Sequence, residues 1–120
     1  MSNEEVTAEL EGLRADFRAR LAKEADEIDA LFDASRDALD AAARMSAARR
    51  LMQVVHGLAG AGGTFGFPEI SALASALDDE LAADLNAGAP VAPEWPYRRV
   101  VEVARLAALC RREADRHDLT

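Results

Sequence analysis

One cysteine, Cys110, stands in the 120 residues, so no internal disulfide can form and no thiolate cage for a metal is available. Tryptophan and tyrosine occur once each and phenylalanine four times. With β-branched residues also sparse, little is left to build strands, and the alanine-, leucine- and arginine-rich remainder favours an all-α protein. No run approaches the roughly 20 apolar residues that span a bilayer. Met1, Ser2, Asn3, Glu4 and Glu5 lack the basic and apolar regions of a secretory leader. The expectation is a cytoplasmic protein that does not engage a membrane. A positive surplus is missing too: the net charge is -8, which disfavours nucleic acid as a partner, because phosphate neutralisation supplies most of that affinity.

What remains is enough for one domain spanning residues 1–120, with a core that needs neither metal nor disulfide. Cys110 reads as a small core residue of the last helix. Charge is unevenly spread. Residues 1–43 hold 12 acids against 5 bases, residues 65–93 hold 5 acids and no base, and residues 44–64 hold Arg44, Arg49 and Arg50 with no acid. This basic island would attract an acidic surface, or it merely solubilises one helix face.

Apolar periodicity supplies the fold. Val6, Leu10, Leu13, Phe17, Leu21, Ile28, Leu31, Phe32 and Leu39 recur at threes and fours without a proline, which predicts one long helix or two joined by a slight bend. Ser46 is a candidate cap for a second helix running through His56 to about Phe65. Gly66, Phe67 and Pro68 then turn the chain, with Phe65 and Phe67 pinning the turn, and Pro68 and Glu69 suit the start of a third helix. Ile70, Leu73, Leu77, Leu81 and Leu85 form its buried stripe. Residues 86–96 read as the one loop of real length, after which Trp95 and Tyr97 cover the bundle end. The last helix buries Val100, Val103, Leu106, Ala107 and Cys110 and carries Arg111, Arg112 and Arg116 near its negative end. Four helices with short connections predict an antiparallel up-and-down four-helix bundle. His117, close to the C-terminus, pairs with nothing in the sequence and is assigned no role.

His56 is the residue that chemistry would single out. On a helical wheel Leu51, Val54, Val55, Leu58, Ala61 and Phe65 lie opposite it, so the imidazole faces solvent. Its own face carries Arg49, Met52, Gln53, Ala59, Gly60 and Gly63. Glycine inside a helix costs on the order of 1 kcal/mol relative to alanine, yet Gly57, Gly60, Gly62 and Gly63 fall within two turns. The spacing suggests a bare imidazole offered to a macromolecule whose surface must come close, with Met52, Gly57, Gly60 and Gly63 in the footprint. A nucleophilic-enzyme alternative finds little support. Ser71 and Ser75 have no base nearby in sequence, and the glycine run lacks the lysine and Ser/Thr of a P-loop.

His56, Leu58, Gly60 and Gly66 stand at the spacing of the pattern His-x-Leu-Lys-Gly followed by a second glycine ten residues after the histidine. Over residues 51–85 the chain thereby resembles the histidine-containing phosphotransfer (HPt) domains of multistep phosphorelays. Ala59 occupies the lysine position, which is a departure. The resemblance implies that His56 accepts a phosphoryl group from a receiver-domain aspartate and passes it on, with receiver domains and hybrid histidine kinases as partners. It further implies a phosphoryl carrier with no ATP site and no cofactor of its own, Mg2+ belonging to the partner. Counting by the family's separation from the histidine reaches Asp78, with Asp79 beside it, as the group that would orient the ring; a solvated acidic face is the other reading of the pair. Arg49, with Arg50 and Arg44 behind it, is the candidate cation in place of the lysine, and Gln53 is a further supporting neighbour. A monomer is expected. A helical adaptor that binds receivers without accepting phosphate stands as the alternative.

Overall fold

The computed structural model describes residues 2–116. Helix α1, Asn3–Asp37, is one continuous helix. The Ser2 hydroxyl accepts the Glu5 N–H at 3.1 Å, and Glu4 and Glu5 sit at the positive end of its dipole. Its 35 residues amount to about 52 Å at 1.5 Å per residue, close to the 54 Å long axis of the molecule. α1 therefore outreaches the rest of the bundle. Val6, Leu10 and Leu13, members of the apolar repeat, lie on the overhang and are 40%, 52% and 44% exposed; the core begins at Phe17. Leu39 is likewise outside the core, almost fully exposed in the connection that follows.

Helix α2, Ala41–Thr64, starts six residues earlier than expected. Its cap is Asp40, whose carboxylate accepts the Ala43 N–H at 2.7 Å, while Ser46 lies exposed inside the helix. Alanines at positions 41–43 hide the start from a hydrophobic-periodicity count, although alanine has the highest helix propensity. Helix α3, Pro68–Asn86, begins with proline at its first turn. Gly88, at φ 70°, takes the left-handed conformation that ends it. A 3-10 turn, Ala89–Val91, leads to helix α4, Trp95–Ala114, so the connection is shorter than residues 86–96.

α1 packs against α2 and α4, α2 packs against α3, and α3 and α4 touch more lightly. The four helices share one core. α1 contributes Phe17, Leu21, Ala25, Ile28, Leu31 and Phe32 to it, and Leu51, Val55, Ile70, Leu77, Leu81 and Leu106 from the other helices are among those that close it. At the end nearest the overhang, the Phe17 ring lies 5.5 Å from Phe65 and 5.2 Å from Phe67, which pins the α2–α3 turn where Gly66 adopts φ 84°. Trp95 is buried and donates to Asp84 at 2.9 Å. Arg99 reaches the same carboxylate at 2.7 and 2.9 Å and holds it below the usual carboxylate range, with help from Trp95. Tyr97 and Val100 are 64% and 41% exposed, so the bundle end is covered by Trp95 rather than by Tyr97, and Val100 is not buried. Val100 falls at the margin of the stripe of Val103, Leu106, Ala107 and Cys110, and Tyr97 is displaced further around the helix. Cys110 is fully buried, and burial pushes its thiol up to about 11, so it is inert packing. Arg111 meets Asp26 and Asp29 of α1 at 2.8 and 2.7 Å. His117 lies outside the described residues.

Arg44 departs most from its sequence role. It is buried at 6% exposure, and its guanidinium donates to the carbonyls of Pro90 at 2.8 Å, Val91 at 2.9 Å and Ala38 at 3.4 Å. It thus ties the α1–α2 connection to the 3-10 turn and leaves the surface charge of the island to Arg49 and Arg50. Removing it strands three carbonyls and a cavity. We expect Arg44→Ala to lose about 2–4 kcal/mol in urea unfolding, and Arg44→Lys to recover less than half, because an ammonium cannot reproduce the planar fork.

Candidate functional site

His56 sits two thirds of the way along α2, and its side chain is 77% exposed. Leu51, Val55 and Leu58 are buried on the far side of the same helix, which is the amphipathic arrangement that forces the imidazole outward. α3 runs antiparallel beside it and presents Asp78, whose Oδ2 lies 2.8 Å from His56 Nδ1. The Asp78 side chain is only 20% exposed. A carboxylate only accepts hydrogen bonds, so Nδ1 must carry the proton, and Nε2 is left with its lone pair toward solvent. The hydrogen bond from the ring to Asp78, and then the charge of Asp78, raise the imidazole above its ordinary value of 6.5, with slight opposition from burial. The arrangement is an oriented nucleophilic nitrogen on an open surface.

The neighbours divide into two groups. A side chain added at Gly57 or Gly60 would meet nothing within 4 Å, so the surface next to His56 is open there. At Gly62 and Gly63 the explanation is different. A Cβ at Gly62 would lie 3.1 Å from the Ser71 nitrogen and 3.3 Å from the Phe67 carbonyl oxygen, and one at Gly63 would lie 3.3 Å from the Ser71 hydroxyl. These two glycines are small because α3 comes close, not only because a partner must. Ser71, without a role in the sequence, belongs to this contact: its hydroxyl donates to the Ala59 carbonyl at 2.8 Å. Its spacing of seven from Asp78 was the available signal.

Ala59 and Met52 are half-buried and pack against the core, whereas Arg49, Arg50, Gln53, Gly60 and Gly63 are exposed. Arg49 precedes His56 by seven residues on the same strip, about 10.5 Å along the axis. Asp79 is exposed beside Asp78. Arg44 is withdrawn from the site by the carbonyls that hold it.

Proton binding at His56 gives a direct check of this geometry. Below its titration midpoint the imidazolium forms an ion pair with Asp78; above it only the neutral hydrogen bond remains. The sign follows from the raised midpoint: any stability from the pair is present below the ordinary value of 6.5 and is lost as pH rises through the folded-state midpoint. We expect Asp78→Asn to bring the midpoint down toward the ordinary value, measured by NMR titration of the His56 ring protons; an unchanged midpoint would mean that the carboxylate does not act on the ring.

Comparison with curated proteins and with solved structures gave no match. A comparison with protein families matched the Hpt domain over residues 12–108, which covers the bundle from the overhang of α1 to the last turns of α4 and includes His56 and Asp78. The chain therefore belongs to the Hpt domain family, and its role is phosphotransfer in two-component signalling.

Proposed function

We propose that this chain, as one domain, is a relay intermediate: His56 accepts a phosphoryl group from the aspartate of one receiver domain and delivers it to the aspartate of another. The observation that carries the reading is the His56–Asp78 pair, 2.8 Å between Nδ1 and Oδ2 with the imidazole otherwise exposed. The Nε2 lone pair forms the N–P bond as the acyl P–O bond of the partner's aspartyl phosphate breaks, and the electron pair leaves with the partner's carboxylate. The ring gains positive charge in this step. Asp78, already accepting the Nδ1 proton, stabilises it. Return transfer reverses each change on a second receiver. A divalent cation held by the receiver would neutralise charge on the phosphoryl oxygens, and no ATP site is required because the energy resides in the acyl phosphate.

The exposure of the imidazole suits a macromolecular donor. Gly57 and Gly60 leave room for a receiver to approach the ring, while Arg49 and Arg50, exposed on α2, favour encounter with its acidic pocket. With Ala59 at the family's lysine position, Arg49 is the candidate cation on the His56 strip.

Incubation with receiver domains charged by acetyl phosphate tests the reading. Acid-labile, base-stable label is expected on the wild type, and His56→Gln should keep the fold and take none. Full label on His56→Gln would move the site elsewhere, and a wild type that binds receivers without label would favour a non-phosphorylated adaptor. Gly60→Glu probes the approach. Its helix propensity is higher than that of glycine, so stability should hold while transfer falls by about 10-fold or more through bulk and like charge; transfer at the wild-type rate would refute a close approach there.

A further inference from the structure

We infer that Ser71 is a positioning residue for this site: together with the bare backbone of Gly62, it sets the register of α3 against α2 that brings Asp78 level with His56. The inference rests on His56 and Asp78 being the working pair and assigns the contact that aligns them.

The alignment is visible in matched spacings. His56 and Gly63 are seven residues apart on one strip of α2, and Ser71 and Asp78 are seven apart on the facing strip of α3. Because the helices are antiparallel, the pairs His56 with Asp78 and Gly63 with Ser71 belong to one register, separated by about 10.5 Å or two turns. Both ends are in contact. The Asp78 carboxylate meets the ring at 2.8 Å, and a Cβ on Gly63 would lie 3.3 Å from the Ser71 hydroxyl.

Three interactions fix the Ser71 end. Its hydroxyl donates to the Ala59 carbonyl at 2.8 Å, a bond that crosses between helices and therefore senses their relative height. The Phe67 N–H donates to the Gly62 carbonyl at 2.7 Å, which anchors the start of α3 to the end of α2. Gly62 is buried, and a Cβ there would press on backbone atoms of Phe67 and Ser71 at 3.3 and 3.1 Å. The two nearest neighbours in this contact are backbone atoms, with the Ile70 Cγ2 at 3.4 Å behind them, so an added methyl must push α3 back by a few tenths of an ångström. A slip of one residue amounts to about 1.5 Å and a 100° turn of the facing strip. Even a few tenths of an ångström matter to a 2.8 Å hydrogen bond.

The test reads the far end of the ruler. In NMR titrations of His56, Ser71→Ala and Gly62→Ala should each lower the midpoint toward that of Asp78→Asn, while Ser71→Thr, which keeps a hydroxyl, should stay near wild type. Arg44→Ala provides the contrast: it weakens the opposite end of the bundle and lowers Tm, yet should leave the His56 midpoint in place. Transfer to Ser71→Ala should fall by about 3- to 10-fold with the loss of ring orientation. Wild-type midpoints in both Ser71→Ala and Gly62→Ala would overturn the inference, as would an equal displacement by Arg44→Ala. If Gly62→Ala does not fold, the milder Ser71→Ala, which removes one half-buried hydroxyl, decides. The titration needs no phosphoryl group, so failure of labelling on a wild type with a raised midpoint would count against the relay function and leave the register assignment standing.

Discussion

The close approach of α3 to the glycine-bearing end of α2 is the constraint on which the site depends. An exposed imidazole is easy to obtain from an amphipathic helix, but an exposed imidazole held at one nitrogen requires a second helix at a defined height and distance. Gly62 permits that distance, and the Phe67 N–H bonded to the Gly62 carbonyl at 2.7 Å fixes where α3 sets out. Phe17 of α1, in tilted ring contact with both Phe65 and Phe67, then ties the same turn to the core. Packing and chemistry are thus coupled through one corner of the bundle.

The opposite end is secured by different means. There Arg44 spends its guanidinium on three backbone carbonyls, and Arg99 with Trp95 converges on Asp84. These charges are consumed internally at that end, and on the exposed face of α2 that bears His56 the positive charge is carried by Arg49 and Arg50. The phosphotransfer role itself follows from membership of the Hpt family.

Much of the helical architecture was legible from periodicity because the core stripes of α3 and α4 repeat at helical spacing. The misreadings have physical causes. Val6, Leu10 and Leu13 continue the stripe of Phe17 and Leu21, and nothing local distinguishes a buried turn from one that projects past the neighbouring helices. Ser46 is a good cap by residue type, but Asp40 is too, and three alanines conceal which of them begins the helix. Arg44 looked like surface charge because burial of an arginine depends on carbonyls 46 and 47 residues away.

The sequence by itself determined the helical class, the outward direction of His56 and the glycine-rich character of its surroundings, since each follows from composition or from the 3.6-residue period within one segment. The spacing also singled out Asp78, through resemblance to the family pattern. Only the tertiary structure decided that this carboxylate lies on Nδ1, that Gly62 and Gly63 answer to α3 as well as to open space, and that Ser71 stands in the same register. These are relations between helices. They depend on how far apart two backbones pack and at what height, and no periodicity within a single helix encodes either quantity.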